Sequence, residues 1–330
     1  MLLLAAALIG ACRSAPATPR PTRQPVEERV NVLPRQASLN ALDLPNPAPA
    51  SLRFLVVGHL YGSNGSDDRD PAKAVLAKLP ALNNLKLSFW VSLGDMVRVS
   101  RDDDFMALER QFLQRVSVPV FNTPGNHDVQ NRMLYQNWYG PTYYSFAYGP
   151  AYFIFLDTEI ETCAVDAPQR SMLERALQAA LQDDAARHIF IFMHKTLFLK
   201  NDTLFALDRD EASPNDWVCY GNPSYPLIQE TLIAPAAAQK PVYLFAGDVG
   251  AEGNLSPWYE RLADQNLTML MTGLGDRPTD AGILVTVDSA AVRLELYPLS
   301  GAKLPPLETF TPAYWVSYAQ SLPPSPTPQK

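Results

Sequence analysis

The sequence predicts a mixed α/β domain, two β-sheets with helices outside, over residues 51–310 of a 330-residue chain. Three observations predict it. Short apolar runs of strand length alternate with longer segments of helical periodicity in the first part of that span. Strand-like runs dominate its last part. Polar residues flanked by glycine recur directly after the apolar runs, where open α/β sheets place their ligands.

Each element has its own signal. Residues 53–57 (RFLVV) read as a buried strand, followed by a Gly-containing loop and a Ser/Asp/Gly-rich stretch. Asp70 and Pro71 open a helical segment, Asp70 as N-cap and Pro71 at the first helical position, where no N–H is needed. Residues 88–93 predict a second strand. Residues 103–115 predict a helix with Phe105, Leu108, Phe112 and Leu113 as its apolar positions. A third strand, 118–122, ends just before Pro124-Gly125-Asn126-His127. Residues 143–148 and 152–157 are aromatic and β-branched around Gly149-Pro150, a hairpin signature. Residues 169–182 read as an amphipathic helix and 188–193 as a buried strand. A loop-rich insert over 195–223 and a helix lead to the strand 242–246. Further strands are expected at 268–271, 283–288 and 292–297.

The chain ends read differently. Residues 1–11 (MLLLAAALIGA) form an apolar run that stops at Cys12, too short to span a bilayer but suited to the core of an export signal. No basic residue precedes the run. Its end, Leu8-Ile9-Gly10-Ala11-Cys12, resembles a bacterial lipobox, so residues 1–12 are expected to be a lipoprotein signal segment. Residues 13–50 carry eight prolines and predict a disordered tether holding the domain off a membrane through lipid on Cys12. Residues 311–330, ending in Pro323-Pro324-Ser325-Pro326-Thr327-Pro328, are expected to be a Pro-rich tail. With Cys12 lipidated, Cys163 and Cys219 remain as an even pair, either a disulfide or two buried thiols. The expected location is the bacterial cell envelope, outside the cytoplasm.

Composition fits an ordinary globular protein, with 47% hydrophobic and 18% charged residues. A net charge of −7 gives no footprint for a nucleic-acid partner. There is no internal repeat, and nothing specifies an oligomeric state.

The chemistry sits in the strand-end loops. After 53–57 comes Gly58-His59-Leu60-Tyr61-Gly62, and after 88–93 comes Gly94-Asp95. After 118–122 comes Gly125-Asn126-His127-Asp128, after 188–193 His194, and after 242–246 Gly247-Asp248-Val249-Gly250. Three of the four histidines belong to this set, and His188 at a strand start reads as structural. Carboxylate, amide and imidazole donors without thiolate suit Zn, Mn or Fe. Asp95 can bridge two ions, Asn126 offers a carbonyl oxygen and His194 an imidazole nitrogen. His127 adjoins a ligand and reads as a general acid, with Asp128 beside it as its orienter. No Walker lysine loop, HExxH or GxSxG signature competes.

Taken in order, strand-Gly-Asp, strand-Gly-Asn-His-Asp, strand-His and strand-Gly-Asp-x-Gly resemble the calcineurin-like metallophosphoesterases. That family's pattern is Asp-x-His, Gly-Asp, Gly-Asn-His-Asp/Glu, His and Gly-His-x-His, and the resemblance covers most of residues 53–297. It implies a four-layer α/β/β/α sandwich and one or two divalent or trivalent ions of Mn, Fe or Zn. It also implies hydrolysis of a phosphate mono- or diester by metal-bound hydroxide, with His127 stabilising the leaving group.

Two motifs depart from the family. His59 and Tyr61 stand where the first motif has aspartate and histidine, and Asp248 and Gly250 stand where the last has two histidines. The second-metal set keeps Asp95, Asn126 and His194, with Asp248 in a histidine's place. The first-metal set has His59, Tyr61 and the shared Asp95, and loses a histidine at Gly250. At His59 both ligand and strand cap are open, at Tyr61 ligand and packing or substrate contact, and at Asp248 ligand and turn residue. Arg98 and Lys195 read as solvated charges, with phosphate binding as the alternative. Asp276 reads as a turn residue rather than a further ligand.

The function implied is an extracytoplasmic metal-dependent phosphoesterase acting on a nucleotide, phospholipid headgroup or phosphorylated glycan. The alternative is an inactive lipoprotein of the same fold that serves as a binding or scaffold protein. The two missing histidines favour the latter; the intact Gly-Asn-His-Asp and His194 favour the enzyme.

Overall fold

Apolar runs too short for helices become eleven strands in two sheets in this computed structural model, which describes residues 37–63, 69–161, 163–199, 219, 224–250 and 255–321. The first sheet holds β1 (Leu52–Val57), β2 (Phe89–Ser92), β3 (Val120–Asn122), β10 (Ala281–Val287) and β11 (Val292–Pro298). Their order is β11-β10-β1-β2-β3, with β1, β2 and β3 parallel and β10 antiparallel to both neighbours. The second sheet holds β4 (Tyr144–Tyr148), β5 (Ala151–Phe155), β6 (His188–Met193), β7 (Val242–Ala246), β8 (Trp258–Leu262) and β9 (Leu267–Met271). Its order is β4-β5-β6-β7-β9-β8; the four central strands run parallel and the edges antiparallel.

Side chains alternate between the faces of a strand, and that alternation makes the layers. In β6, Phe190 and Phe192 enter the space between the sheets, while Ile189, Ile191 and Met193 face outward. Between the sheets lies an aromatic core that includes Phe54, Phe89, Phe153, Phe155 and Phe245. Its rings touch at centroid distances such as 4.7 Å for Phe54–Phe89 and 4.8 Å for Phe155–Phe192. Such pairs add about 0.5–1.5 kcal/mol each beyond their area burial. Outside the second sheet packs α4 (Ala167–Gln182), through Met172, Leu173, Ala176 and Ala180. Asp166 caps it, its carboxylate accepting from the Gln169 N–H at 3.1 Å. Outside the first sheet pack α1 (Lys73–Asn83), α2 (Asp102–Leu108) and α3 (Arg132–Tyr139). The result is the expected α/β/β/α sandwich. Two short helices, α5 (Ser224–Ile228) and α6 (Ala234–Ala237), joined by a wider turn, precede β7.

Several boundaries differ from the sequence reading. Asp70 is not the cap of α1: the Ala72 N–H donates to Leu60 O, holding Ala72 extended, and the helix starts at Lys73. The helix expected over 103–115 relaxes after Leu108 into a π-helical turn, Glu109–Leu113. The tether does not extend to residue 50. Ala37 and Leu39 are buried, and Asn40 donates to Val118 O at 2.9 Å and accepts from the Val120 N–H at 3.2 Å. The tail does not begin at 311 either, because α7 (Pro312–Ser321) buries Trp315, whose indole N–H donates to Pro257 O at 3.1 Å. Helix α3 and strand β8 were not foreseen. The signal segment with Cys12, the tether up to residue 36 and the tail from 322 lie outside the described residues.

Cys163 and Cys219 form a disulfide, with their Cα atoms 4.8 Å apart and a sequence separation of 56. Cross-linking a loop of that length removes entropy from the unfolded chain equivalent to about 4 kcal/mol. Cys163→Ser is therefore expected to lower unfolding stability by about 2–4 kcal/mol. Urea unfolding checks this, and reductant should impose the same loss on the parent chain and none on the variant.

Candidate metal centre

Because β1 and β2 run parallel, their C-terminal loops emerge side by side. The His59 N–H donates to Gly94 O at 3.1 Å and the Tyr61 N–H to Asp95 O at 3.2 Å, lacing the loops together. His59 and Asp95 both adopt left-handed backbone, with φ of 48° and 55°. Side chains rarely accept that conformation unless their surroundings enforce it, and it concentrates at functional sites.

Asp128 supplies the enforcement. It is wholly buried, and its carboxylate accepts N–H bonds from Asp95 and Met96 at 2.8 Å, Gly125 at 2.9 Å and Val97 at 3.3 Å. Burial, then repulsion from Asp95, pushes its carboxyl up to about 6 against the pull of these bonds. Asp128 is thus a turn-holder and not the orienter of His127. The His127 ring is fixed instead by Nδ1, 2.7 Å from Arg98 O. A carbonyl only accepts, so Nδ1 carries the proton and Nε2 is left for proton exchange. Gly125 allows the loops to meet: a Cβ there would lie 2.1 Å from Asp95 Oδ1.

The remaining strand ends complete the cluster. His194 Nδ1 lies 2.7 Å from Leu93 O, which fixes a proton on Nδ1 and turns Nε2 inward as the atom a metal ion would take in place of a proton. Around His194 Nε2 lie Asn126 Oδ1 at 3.3 Å, Asp248 Oδ1 at 3.3 Å and Asp95 Oδ1 at 3.6 Å. His59 Nε2 faces Asp248 Oδ1 at 3.5 Å and Asp95 Oδ2 at 3.6 Å. Donor atoms of His59, Asp95, His194 and Asp248 all lie within 4.8 Å of one another. His59 thus turns into the site and away from any strand-capping role. Asp95, Asn126, His194 and Asp248, expected on one ion, and His59, expected on the other, meet at a single centre.

Tyr61 lies beside the donors. Its buried ring packs 5.3 Å from His59 and 5.1 Å from His127, with the Arg98 guanidinium 4.8 Å above it. Arg98 Nη2 also donates to Ser63 O at 2.5 Å, so its charge is engaged by the β1 loop. Asp276 accepts from the Ser63 N–H at 2.9 Å, a turn-stabilising role.

The largest correction is Lys195, which is a buried member of the cluster and not a solvated charge. Its side chain is 2% exposed, and Nζ donates to Asp248 Oδ2 at 2.8 Å and to Asn126 Oδ1 at 3.0 Å. Glu159 Oε1 stands 3.7 Å away, a neighbour the sequence reading missed. The signal was available, since Asp157-Thr158-Glu159 follows β5 as the other polar groups follow their strands. Thr158 Oγ1 also accepts the Lys195 N–H at 3.1 Å.

Charges at this centre are strongly interdependent. Burial works against the His194 cation, but Asp95 and Asp248 overcome it and push the imidazole up to about 10. Burial also opposes ionisation of Asp248, yet Lys195 and His194 hold it well below the usual carboxylate range. Asp95 is likewise lowered despite burial, by His194 and His59. Burial raises Glu159, and Lys195 only partly offsets it.

The donor set fits a metal ion. Among the described residues Asp95 Oδ2 is buried without a hydrogen-bond donor, a costly state for a carboxylate oxygen unless a cation completes it. Two imidazoles, two carboxylates and an amide oxygen suit Zn, Mn or Fe.

The chain matches no protein-family profile, and no curated protein matches it in sequence. Solved structures do match. The structure of GAP50, the anchor in the inner membrane complex of Plasmodium, aligns over 77% of this chain and 87% of its own, with a TM-score of 0.51 and 14% identity. Purple acid phosphatase PPD1 from yellow lupin (Lupinus luteus) aligns over 81% of this chain, with a TM-score of 0.52 and 13% identity. This chain spans 54% of the length of that lupin enzyme. Two mixed sheets, their flanking helices and this likeness agree: the chain has the calcineurin-like phosphoesterase fold.

Proposed function

We propose that the chain is an extracytoplasmic metal-dependent phosphoesterase, hydrolysing a phosphate mono- or diester at this centre. One observation carries the reading: four buried or half-buried residues bring one donor atom each within 4.8 Å of one another, and among the described residues Asp95 Oδ2 accepts no hydrogen bond. His59, Asp95, His194, Asp248 and Asn126 would hold the ion. Such an ion supplies Lewis-acid charge to the phosphoryl group. Leu93 O keeps His194 in the ligating tautomer, and Asp128 keeps the Asp95 loop in shape. His127, half-buried and fixed through Nδ1, would in its doubly protonated form give the Nε2 proton to the departing oxygen and be left as the neutral Nδ1–H ring. Export and a lipid on Cys12 belong to the same reading. They are supported by the apolar run ending at Cys12 and by the Cys163–Cys219 disulfide, which suits an oxidising compartment.

The test is the full-length chain loaded with Mn(II), Zn(II) or Fe(II) and assayed against chromogenic phosphomonoesters and phosphodiesters. Asp95→Asn is expected to lower metal affinity at least about 100-fold and abolish turnover with the fold intact. Full metal content and activity in that variant would overturn the site.

A second reading, an inactive binding or scaffold protein of this fold, is favoured by the buried Lys195 and by Gly250. Its signature is stoichiometric metal with no turnover of any ester class.

A further inference from the structure

We propose that the Lys195 ammonium is the second cation of this centre, a charge carried by the chain in the place of a second metal ion. The centre then holds one ion, among His59, Asp95, His194 and Asp248. The inference rests on the reading that the site binds metal, and it deepens that reading by fixing the number.

The first argument is position. Lys195 Nζ is bound by Asp248 Oδ2 at 2.8 Å and Asn126 Oδ1 at 3.0 Å. The sequence pattern assigns both residues to a metal. The carboxylate of Asp248 is divided: Oδ1 faces His194 Nε2 at 3.3 Å and His59 Nε2 at 3.5 Å, while Oδ2 faces the ammonium. One carboxylate therefore joins a metal-ligand cluster on one side to a lysine on the other. With its side chain 2% exposed and two hydrogen bonds made, Lys195 is built into the site and does not reach in from solvent.

The second argument is independent of Lys195. The resemblance places a histidine of the first-metal set at the position of Gly250. Here the backbone has a φ of 101°, and a Cβ would lie 2.3 Å from Gly273 O, so the loop has no room for that ligand. His59 and Asp95 then complete an ion only by sharing His194 and Asp248 with the other set, which leaves one ion there.

Charge gives the third. Asp95, Asp248 and Glu159 bring three carboxylates to the cluster, and Asp128 is compensated by four backbone N–H groups. One divalent ion and one ammonium balance the three carboxylates. A second divalent ion beside the ammonium would leave excess positive charge buried, which is strongly unfavourable.

Mn(II) counting on the full-length chain tests this, using elemental analysis after gel filtration together with electron paramagnetic resonance. The parent chain is expected to bind one Mn(II) per chain with the spectrum of an isolated ion. Lys195→Met frees Asn126 and Asp248 Oδ2, and is expected to raise the count to two with a spin-coupled signal. Lys195→Gln serves the same purpose should the Met variant not fold. Two ions in the parent chain, or one ion in a folded Lys195 variant, overturns the proposal. No Mn(II) in the parent chain overturns instead the metal-binding reading beneath it.

Discussion

Asp128→Ala is expected to destabilise the protein by about 3–5 kcal/mol and to lower metal affinity about 10–100-fold. The carboxylate accepts four backbone N–H groups, from Asp95, Met96, Val97 and Gly125, in a wholly buried setting. Removing it strands all four, and each buried donor without a partner costs about 1 kcal/mol or more. The affinity loss follows because the carboxylate accepts the N–H of Asp95 itself and of the two residues after it, and so braces the left-handed backbone that presents this ligand. Asp128→Asn keeps one acceptor oxygen but turns an NH₂ toward two donors, so it should fall between parent and alanine. Urea unfolding with Mn(II) titration reads both effects. A loss below about 1 kcal/mol for the alanine variant would show that the Asp95 loop holds its shape without this carboxylate.

Gly250→His restores in name the histidine that the resemblance expects, yet it is expected to cost about 3 kcal/mol or more and to add no metal ion. The reason lies in the backbone. At a φ of 101° a side chain is strained, and its Cβ would sit 2.3 Å from Gly273 O, a backbone atom that cannot swing aside. Gly250→Ala should therefore lose nearly as much as Gly250→His, since the first carbon already makes the clash. Thermal unfolding of both variants checks this. A stable histidine variant with a second ion would show instead that the loop yields.

Much of the fold was legible because its periodicity is strong. Strands β6 and β7 appear at 188–193 and 242–246 as read, since each is an unbroken apolar run between polar flanks. Helix α3 has an Asn131 cap and a Gly140 stop, but its eight residues make barely two turns, too short a window to set a helical period beside the Gly-Asn-His-Asp motif. Strand β8 (WYERL) was hidden by Glu260 and Arg261, tolerated because it is an edge. Helix α7 was masked by the proline-rich composition around it, which averaged away the single anchoring Trp315.

At the site, strand-end position placed His59, Asp95, Asn126, His127, His194 and Asp248 within one loop cluster. It failed for Lys195 and for Asp128. A lysine beside a strand end defaults to solvent, and its burial in this chain is decided by Asn126, Glu159 and Asp248, which are distant in sequence. Adjacency assigned Asp128 to His127, whereas the carboxylate turns back to the backbone of a loop some thirty residues earlier.

The short segment of residues 37–40 has a consequence beyond packing. β3 is the outermost strand of its sheet, and the Leu39 N–H donates to Val120 O at 2.7 Å while Asn40 bonds Val118 O and the Val120 N–H. An outer strand with free peptide groups is a template for adding another chain. Leu39 and Asn40 occupy that template from within the same molecule. Residues 37–40 therefore double as a guard against self-association, and a chain trimmed to residue 51 would leave that strand open to its own copies.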